Sequence, residues 1–168
     1  MCLDVVDIQD IAHSLSQTCR YNGQCDNFYS TAEHSILISE WLWNETKDKN
    51  LSLAGLLHDA AEAYMGDIVR PMKYMFPQFK ELEKRIDKVI FEQYNLEFPM
   101  DPRIKEADNR ILNDERKFLF SRSKETWTTS DRIKGALNVE IECLRPLQAK
   151  SRFLHRFLNL YNEQRVEL

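Results

Sequence analysis

The sequence predicts an all-α protein, and two observations carry that prediction. Apolar residues recur at helical spacing through most of the 168 residues, without the alternation of apolar and polar residues that is typical of a sheet. Turn-forming residues are scarce, because the chain has only four glycines and five prolines. Since 43% of the residues are hydrophobic and 30% are charged, the composition is that of a globular protein. We therefore expect residues 1–168 to form a single compact helical bundle.

Two helices separated by a loop are expected in the first quarter of the chain. Apolar spacing predicts a helix from Asp7 to about Thr18, and the following stretch from Tyr21 to Tyr29 is rich in loop-forming residues. Ser30 and Glu33 have the spacing of a capping box, in which each side chain accepts a hydrogen bond from the other residue's backbone amide. A second helix should therefore start after Ser30 and run to about Trp43.

Caps and prolines also mark the helices in the middle of the chain. Asn50 is a good N-cap for a helix from Leu51 to about Tyr64, and Gly66 stands where a C-cap belongs. Pro77 fits the first turn of an amphipathic helix. Its apolar face contains the following residues: Phe79, Leu82, Ile86, Val89 and Ile90.

The last helices are predicted in the same way. Asp101-Pro102 combines an N-cap with a proline at the first helical position, so a long helix should begin there. Its apolar residues are Ile104, Ala107, Ile111, Phe118 and Leu119. In the tail, we expect helical segments at 139–144 and at 153–161.

Charge and cysteine content exclude several classes of protein. The net charge of −4 gives no overall basic field for nucleic acid or anionic lipid. No C-x-x-C pair is present among the four cysteines, no run of 18 apolar residues occurs, and the start of the chain lacks the basic region of an export signal. We therefore expect a cytoplasmic protein with reduced thiols and without nucleic-acid or membrane partners.

Two histidines and two aspartates on predicted helices are candidates for a metal site. His58 and Asp59 follow each other inside an apolar helix, where two polar groups are costly unless they have partners. His34 and Asp108 lie on two other apolar helices. Such a nitrogen and oxygen donor set suits Zn, Mn, Co, Fe or Mg, and leaves coordination positions for water and a phosphoryl oxygen.

Each of these residues also has an ordinary structural explanation. His34 alone would be read as a hydrogen-bonded core histidine, and Asp108 alone as a solvated carboxylate. The order H…HD…D, with every member on an apolar helix, favours the metal site instead. His13 and His155 lack such neighbours and are expected to be structural or surface residues.

These residues resemble the signature of the HD-domain phosphohydrolase superfamily. A closer resemblance to one branch is carried by DIAHSL, CRY, FYSTAEHS and LLHDAAEAYMGDI, which RPMK follows. That branch contains bacterial deoxyribonucleoside 5′-monophosphatases and the phage dATP triphosphohydrolases that accompany diaminopurine-containing genomes. The resemblance covers about residues 7–120, and the last 45 or so contribute little to it.

The resemblance implies an HD-domain bundle whose metal ligands are His34, His58, Asp59 and Asp108. The metal would be Zn, Co or Mn, with Mg as a further option. Glu62, one turn after His58, matches the acidic residue that orients or deprotonates the attacking water, so Asp59 and Glu62 are the expected catalytic residues.

Five further residues match substrate contacts of the branch. Arg20 matches a phosphate-binding arginine, Asp67 a carboxylate that contacts the deoxyribose 3′-hydroxyl, and Lys73 a lysine suited to further phosphates. Tyr21 stands where the branch commonly has Trp or Phe, and its ring would exclude a ribose 2′-hydroxyl. Asn22 is expected to help read the nucleobase.

Three functions are compatible with these residues. We expect first a dATP triphosphohydrolase that releases deoxyadenosine and triphosphate, because of the short chain, the closeness of the segment from Arg20 to Lys73, and Lys73 itself. The alternative is a 5′-nucleotidase for deoxyribonucleoside monophosphates, which uses the same residues and needs fewer cations. A nucleotide-binding module without turnover is disfavoured because every ligand and Glu62 are present. By family precedent, a homo-oligomer is expected, a dimer or a hexamer.

Overall fold

A computed structural model describes residues 6–120 and 135–164, and its architecture there is helical. An isolated bridge between Cys19 and Ser30 is the β-type pairing found in these ranges. The helices, in chain order, are α1 (Ile8–Gln17), α2 (Thr31–Thr46), α3 (Lys49–Leu57), α4 (Glu62–Met65), α5 (Arg70–Met75), α6 (Pro77–Gln93), α7 (Pro102–Leu119) and α8 (Pro146–Gln164). The predicted all-α fold is confirmed.

The start of α2 confirms one half of the predicted capping box and corrects the other half. The Ser30 hydroxyl accepts a hydrogen bond from the Glu33 amide at 3.1 Å. The Glu33 carboxylate, however, does not return to Ser30. It accepts hydrogen bonds from the backbone amides of Glu142, Cys143 and Leu144, at 2.8, 3.0 and 2.7 Å. Glu33 therefore joins α2 to the tail of the chain.

The region from Asp48 to Gly66 differs from its prediction in two ways. Asp48, and not Asn50, caps α3, since its carboxylate accepts the Leu51 amide at 3.0 Å. The helix predicted to reach Tyr64 stops at Leu57. Its amide bonds then change to the tighter i→i−3 pattern, as when the Glu62 amide donates to the Asp59 carbonyl, before α4 ends at Gly66 with a φ of 80°.

Helices α6 and α7 begin where the sequence predicts. Pro77 occupies the first turn of α6, and Asp101 caps α7 by accepting the Arg103 amide at 2.8 Å. On the predicted apolar face of α6, Phe79 and Leu82 are 37% and 44% exposed, whereas Ile86 and Ile90 are buried and Val89 is partly buried. On α7, Phe118 is likewise exposed, whereas the other apolar residues of the predicted stripe are buried.

The tail contains one correct and one wrong prediction. The helix expected over 153–161 is present and begins earlier, as α8 at Pro146. Residues 139–144 form no helix, because Asn138 and Cys143 have φ values of 60° and 57°, in the left-handed region. The amides of 142–144 are in addition bound by Glu33, so they are not available to a helix.

The core packs α2 against α3, and α8 closes it. Gly55 allows α2 and α3 to approach closely, because a Cβ there would lie 2.5 Å from Leu42 Cδ1. From α8, Arg156 donates hydrogen bonds to Ser39 and Ser52 on these two helices. The helices that carry the candidate site are therefore fixed on both sides. Within the described part of the chain, no helix combines the length and the apolarity that crossing a membrane requires.

Candidate active site

The structure brings the four predicted metal ligands together. His34 comes from α2, the His58-Asp59 pair from the turn after α3, and Asp108 from α7. Asp59 Oδ2 lies 3.2 Å from His58 Nε2 and 3.6 Å from His34 Nε2. On the other side, Asp108 Oδ1 lies 3.4 Å from His34 Nε2. Ligand atoms of His34, His58 and Asp59 all lie within 4.8 Å of one another, as a shared ion requires.

The hydrogen bonds of the two imidazoles fit a bound divalent metal. His34 Nδ1 is 2.6 Å from a carboxylate oxygen of Glu115, and His58 Nδ1 is 2.8 Å from the Gly55 carbonyl. Because both partners are acceptors, each Nδ1 carries the proton and each Nε2 offers a lone pair. Both Nε2 atoms are buried without a hydrogen-bond partner among the described residues. Such orphaned nitrogens are costly unless they coordinate an ion.

The two aspartates of this group are carboxylates. Burial alone would raise the pKa of Asp59, but His58 and His34 hold it well below its usual range. Burial also opposes ionisation of Asp108, whose pKa is kept low by His34 and by Lys105, the latter with its Nζ 2.6 Å from Asp108 Oδ2. Both side chains are therefore in the charged form that a metal binds.

His58, Asp59 and Asp108 line a cavity of about 670 Å³, a volume suited to a small-molecule ligand, whereas the fully buried His34 is not among its lining residues. Its cationic lining residues are Arg20, Lys73, Lys80 and Lys105. Its acidic lining residues are more numerous: Asp59, Glu62, Glu83, Asp87, Asp101 and Asp108. The wall thus combines three of the four candidate metal ligands with a few cations among an excess of carboxylates.

Glu62 and Lys73, two further predicted site residues, face each other in this cavity. Glu62 is 4% exposed, and burial, together with the charges of Asp59 and Asp67, raises its pKa well above the usual value. Lys73 Nζ lies 3.5 Å from Glu62 Oε1 and also forms an ion pair with Glu83. The lysine predicted for phosphate contacts is therefore held between two carboxylates.

Arg20 lies in a short 3-10 turn, Arg20–Gly23, and its guanidinium is buried next to the metal ligands. Its Nη1 donates to Asp59 Oδ2 at 3.4 Å, and its Nε lies 3.5 Å from Glu115 Oε1. Arg20 thus lines the cavity next to the candidate metal ligand Asp59, and its phosphate contact stays a prediction.

The predicted substrate contacts Tyr21, Asn22 and Asp67 are not among the cavity's lining residues, whereas Arg20 and Lys73 are. Tyr21 donates its hydroxyl hydrogen bond to the Glu115 carboxylate, and Asn22 is exposed. Both have left-handed φ values, 58° and 52°. Asp67 is half-buried, and its charge acts on both Arg20 and Glu62. Their contacts with sugar and base stay predictions. His13 and His155 are exposed.

Glu115 is a residue of this site that sequence reasoning missed. It is completely buried on α7 and contacts His34, Arg20 and Tyr21. A signal was present, because Glu115 follows Asp108 by seven residues and so lies on the same helical face. A second carboxylate in this otherwise apolar stripe indicates a buried polar network.

Comparison with known proteins shows the family to which the chain belongs. Residues 30–163 match a family model described as 5′-deoxynucleotidase YfbR-like. The chain belongs to this family. The YfbR-like family lies within the HD-domain superfamily, and a divalent metal site formed by His34, His58 and Asp59 is in keeping with it. The match to the YfbR-like family model extends to residue 163 and so includes nearly all of α8. The last 45 or so residues, which contributed little to the resemblance seen in the sequence, are thus largely part of the family match.

Two relatives extend this comparison. The chain is 36% identical over 157 residues to the protein YfdR of Escherichia coli K12, which covers 94% of the chain and 85% of YfdR. It is also 36% identical over 107 residues to a protein of Rhodobacter capsulatus, over 61% of the chain and 55% of that protein. Both relatives bear names that state no activity, so the YfbR-like family description carries the functional information.

Proposed function

We propose that this protein is a metal-dependent 5′-deoxynucleotidase that hydrolyses 2′-deoxyribonucleoside 5′-monophosphates to deoxynucleosides and orthophosphate. The observation that carries the proposal is the convergence of His34, His58, Asp59 and Asp108 beside a cavity that Arg20 and Glu62 line. The family description supports the same reaction.

In this proposal, His34, His58, Asp59 and Asp108 hold the metal. A bound divalent metal supplies polarisation of the phosphoryl oxygen and acidification of a coordinated water. Arg20 neutralises the non-bridging oxygens of the phosphate through charge-assisted hydrogen bonds.

Glu62 is the proposed general base and removes a proton from the attacking water. Burial and the nearby carboxylates raise the pKa of Glu62, which brings its basicity closer to that required near neutral pH. Lys73, whose Nζ lies 3.5 Å from Glu62 Oε1, acts in the opposite direction and favours the ionised form that a base requires.

The electrostatics of the cavity favour a monophosphate over the triphosphate that we first expected. Lys73 is already paired with Glu62 and Glu83, and carboxylates outnumber cations along the cavity wall. A triphosphate carries about four negative charges and needs correspondingly more cations than a monophosphate dianion. The family description favours the monophosphatase as well, so the dATP triphosphohydrolase becomes the second candidate.

The test is hydrolysis by protein stripped with a chelator and then loaded separately with Co²⁺, Mn²⁺, Zn²⁺ or Mg²⁺. We expect orthophosphate from deoxyribonucleoside monophosphates, only with metal present, and little release from ribonucleotides. Glu62→Gln should lower kcat by roughly 10²-fold or more, as is usual for loss of a general base. Glu92→Gln, at an exposed position on α6, is the matched control and should leave kcat unchanged. Release of triphosphate from dATP, without phosphate from monophosphates, would contradict the proposal.

A further inference from the structure

We infer that Glu115 is a positioning residue that assembles the metal ligand His34 and the phosphate-binding Arg20 into one unit. The part of this inference that concerns phosphate rests on the role proposed for Arg20. The part that concerns the metal rests on the geometry of this chain's own residues.

Three polar groups from two different parts of the chain meet at the Glu115 carboxylate. His34 Nδ1 lies 2.6 Å from Oε1, and Arg20 Nε lies 3.5 Å from the same oxygen. Tyr21 donates its hydroxyl hydrogen bond to the other oxygen, Oε2. With no exposed surface, Glu115 has no water to replace any of these partners. One oxygen therefore serves both the candidate metal ligand and the candidate phosphate ligand.

The contact with His34 sets how strongly that imidazole can bind a metal. A carboxylate that accepts from Nδ1 fixes the tautomer, so that Nε2 keeps its lone pair, and makes Nε2 more basic. The other metal-facing imidazole, His58, has only a neutral carbonyl, that of Gly55, at its Nδ1. Of the two imidazoles, the fully buried His34 therefore has the charged partner, Glu115. Its Nε2 lies within 3.6 Å of both Asp59 and Asp108.

The contact with Arg20 keeps a buried guanidinium in place before any phosphate arrives. Arg20 is 8% exposed, and among the described residues it forms ion pairs with Asp59 and Glu115. Asp59 is also a candidate metal ligand. A metal bound to Asp59 would therefore weaken the ion pair between Asp59 and Arg20. Glu115 would then remain as the carboxylate that orients Arg20, and loss of its charge should weaken the metal site and the phosphate site together.

Glu115→Gln tests this inference because it keeps the size of the side chain and removes the charge. We would measure the dissociation constant for Co²⁺ by chelator competition on the full chain, which needs no substrate. Loss of such a carboxylate partner typically weakens metal binding by about 10–100-fold, and we expect a loss in that range. The matched control is Glu106→Gln on the same helix, whose side chain is 64% exposed, and its Co²⁺ affinity should stay within about twofold of wild type.

Binding of inorganic phosphate to the cobalt-saturated protein is the second readout. Glu115→Gln should weaken phosphate binding by roughly 10-fold even when the metal site is filled, because Arg20 has lost its remaining orienting partner. Tyr21→Phe removes one hydrogen bond to Oε2 and should change both constants much less. If Glu115→Gln changed metal affinity alone, Glu115 would serve His34 only, and the inference of a single unit would be wrong.

Glu115→Asp keeps the inference testable if the glutamine variant does not fold. It retains the charge but withdraws it by one methylene group, so it should weaken Co²⁺ binding less than the glutamine variant does. Wild-type affinity for Co²⁺ in every folded Glu115 variant would overturn the inference. Because neither readout uses turnover, these results differ from a failure of the proposed function, which would appear as absent deoxynucleotide hydrolysis with the expected metal and phosphate affinities.

Discussion

Glu33 and Glu115 are both buried glutamates that bind three polar groups, but the groups are of different kinds. Glu33 accepts three consecutive backbone amides of the tail, from residues more than 100 positions away. Glu115 contacts the side chains of His34, Arg20 and Tyr21. The two carboxylates thus show how this chain uses the same residue type for folding and for the candidate site.

The two glutamates also differ in acidity. Burial raises the pKa of Glu33, although the three amides act to lower it. Burial would likewise raise the pKa of Glu115, but the charge of Arg20 and the hydrogen bonds from His34 and Tyr21 bring it down to about 2. At Glu33 the three amides do not offset the effect of burial, whereas at Glu115 the neighbouring Arg20 and His34 do. The comparison predicts that Glu33 supports stability and Glu115 supports binding.

Glu33→Ala should have the largest effect on stability. It deprives three amides of their acceptor, and with partial replacement by water we expect a loss of about 3 kcal/mol, or a fall in Tm of roughly 6–12 °C. Thermal unfolding followed by circular dichroism measures this loss. Glu40→Ala, at an exposed position on α2, is the control and should shift Tm little. If the folded Glu33 variant also bound Co²⁺ tenfold more weakly, the division between the two glutamates would fail.

Asp87 is a third buried carboxylate that can be compared with Glu33 and Glu115. One of its oxygens has no hydrogen-bond partner among the described residues. Burial, with the charges of Glu83 and Asp59, raises its pKa to about 8. The folded protein therefore holds this proton more tightly than the unfolded chain does. The resulting stabilisation is present below about pH 4 and is lost as the pH rises toward 8.

Asp87→Asn should remove that pH dependence. In chelator, the Tm of the variant relative to wild type should rise between pH 5 and pH 9 by roughly 5 °C. Asp10→Asn, on the exposed side of α1, serves as the control and should show the same difference at both pH values. An equal offset for Asp87→Asn at pH 5 and pH 9 would show that Asp87 is already ionised in the folded protein.

Arg152→Ala should have the smallest effect. Arg152 forms an exposed ion pair with the side chain of Glu142, whose amide donates to Glu33. Exposed pairs of this kind contribute less than about 1 kcal/mol, so Tm should fall by at most about 3 °C. A loss as large as that of Glu33→Ala would mean that the surface pair, and not the buried carboxylate, holds the tail to α2.

Local signals in the sequence predicted those parts of the fold that depend on local chemistry. The caps Ser30 and Asp101 and the proline at 77 start helices as expected, because a cap acts within its own turn. The segment 139–144 could not be predicted in this way. Its backbone is bound by Glu33, and nothing in the local sequence indicates a partner so distant in the chain.

The same distinction applies to the candidate site. His34, His58, Asp59 and Asp108 were identified because a polar residue inside an apolar helix has to be explained by a partner. Glu115 passed unnoticed because α7 is rich in charged residues, and only the structure shows that this one is buried. The end of the helix before His58 was also missed, since apolar spacing continues across it without interruption.

The seven-residue interval between Asp108 and Glu115 restricts insertions and deletions in helix α7. Two carboxylates that far apart on one helix lie about 10.5 Å from each other along its axis and on nearly the same face. The His34 ring spans between them, with Nε2 near Asp108 and Nδ1 on Glu115. Inserting or deleting one residue in this interval would turn one carboxylate away by about 100°. Helix α7 should therefore accept substitutions at its exposed positions and no change of length between these two residues.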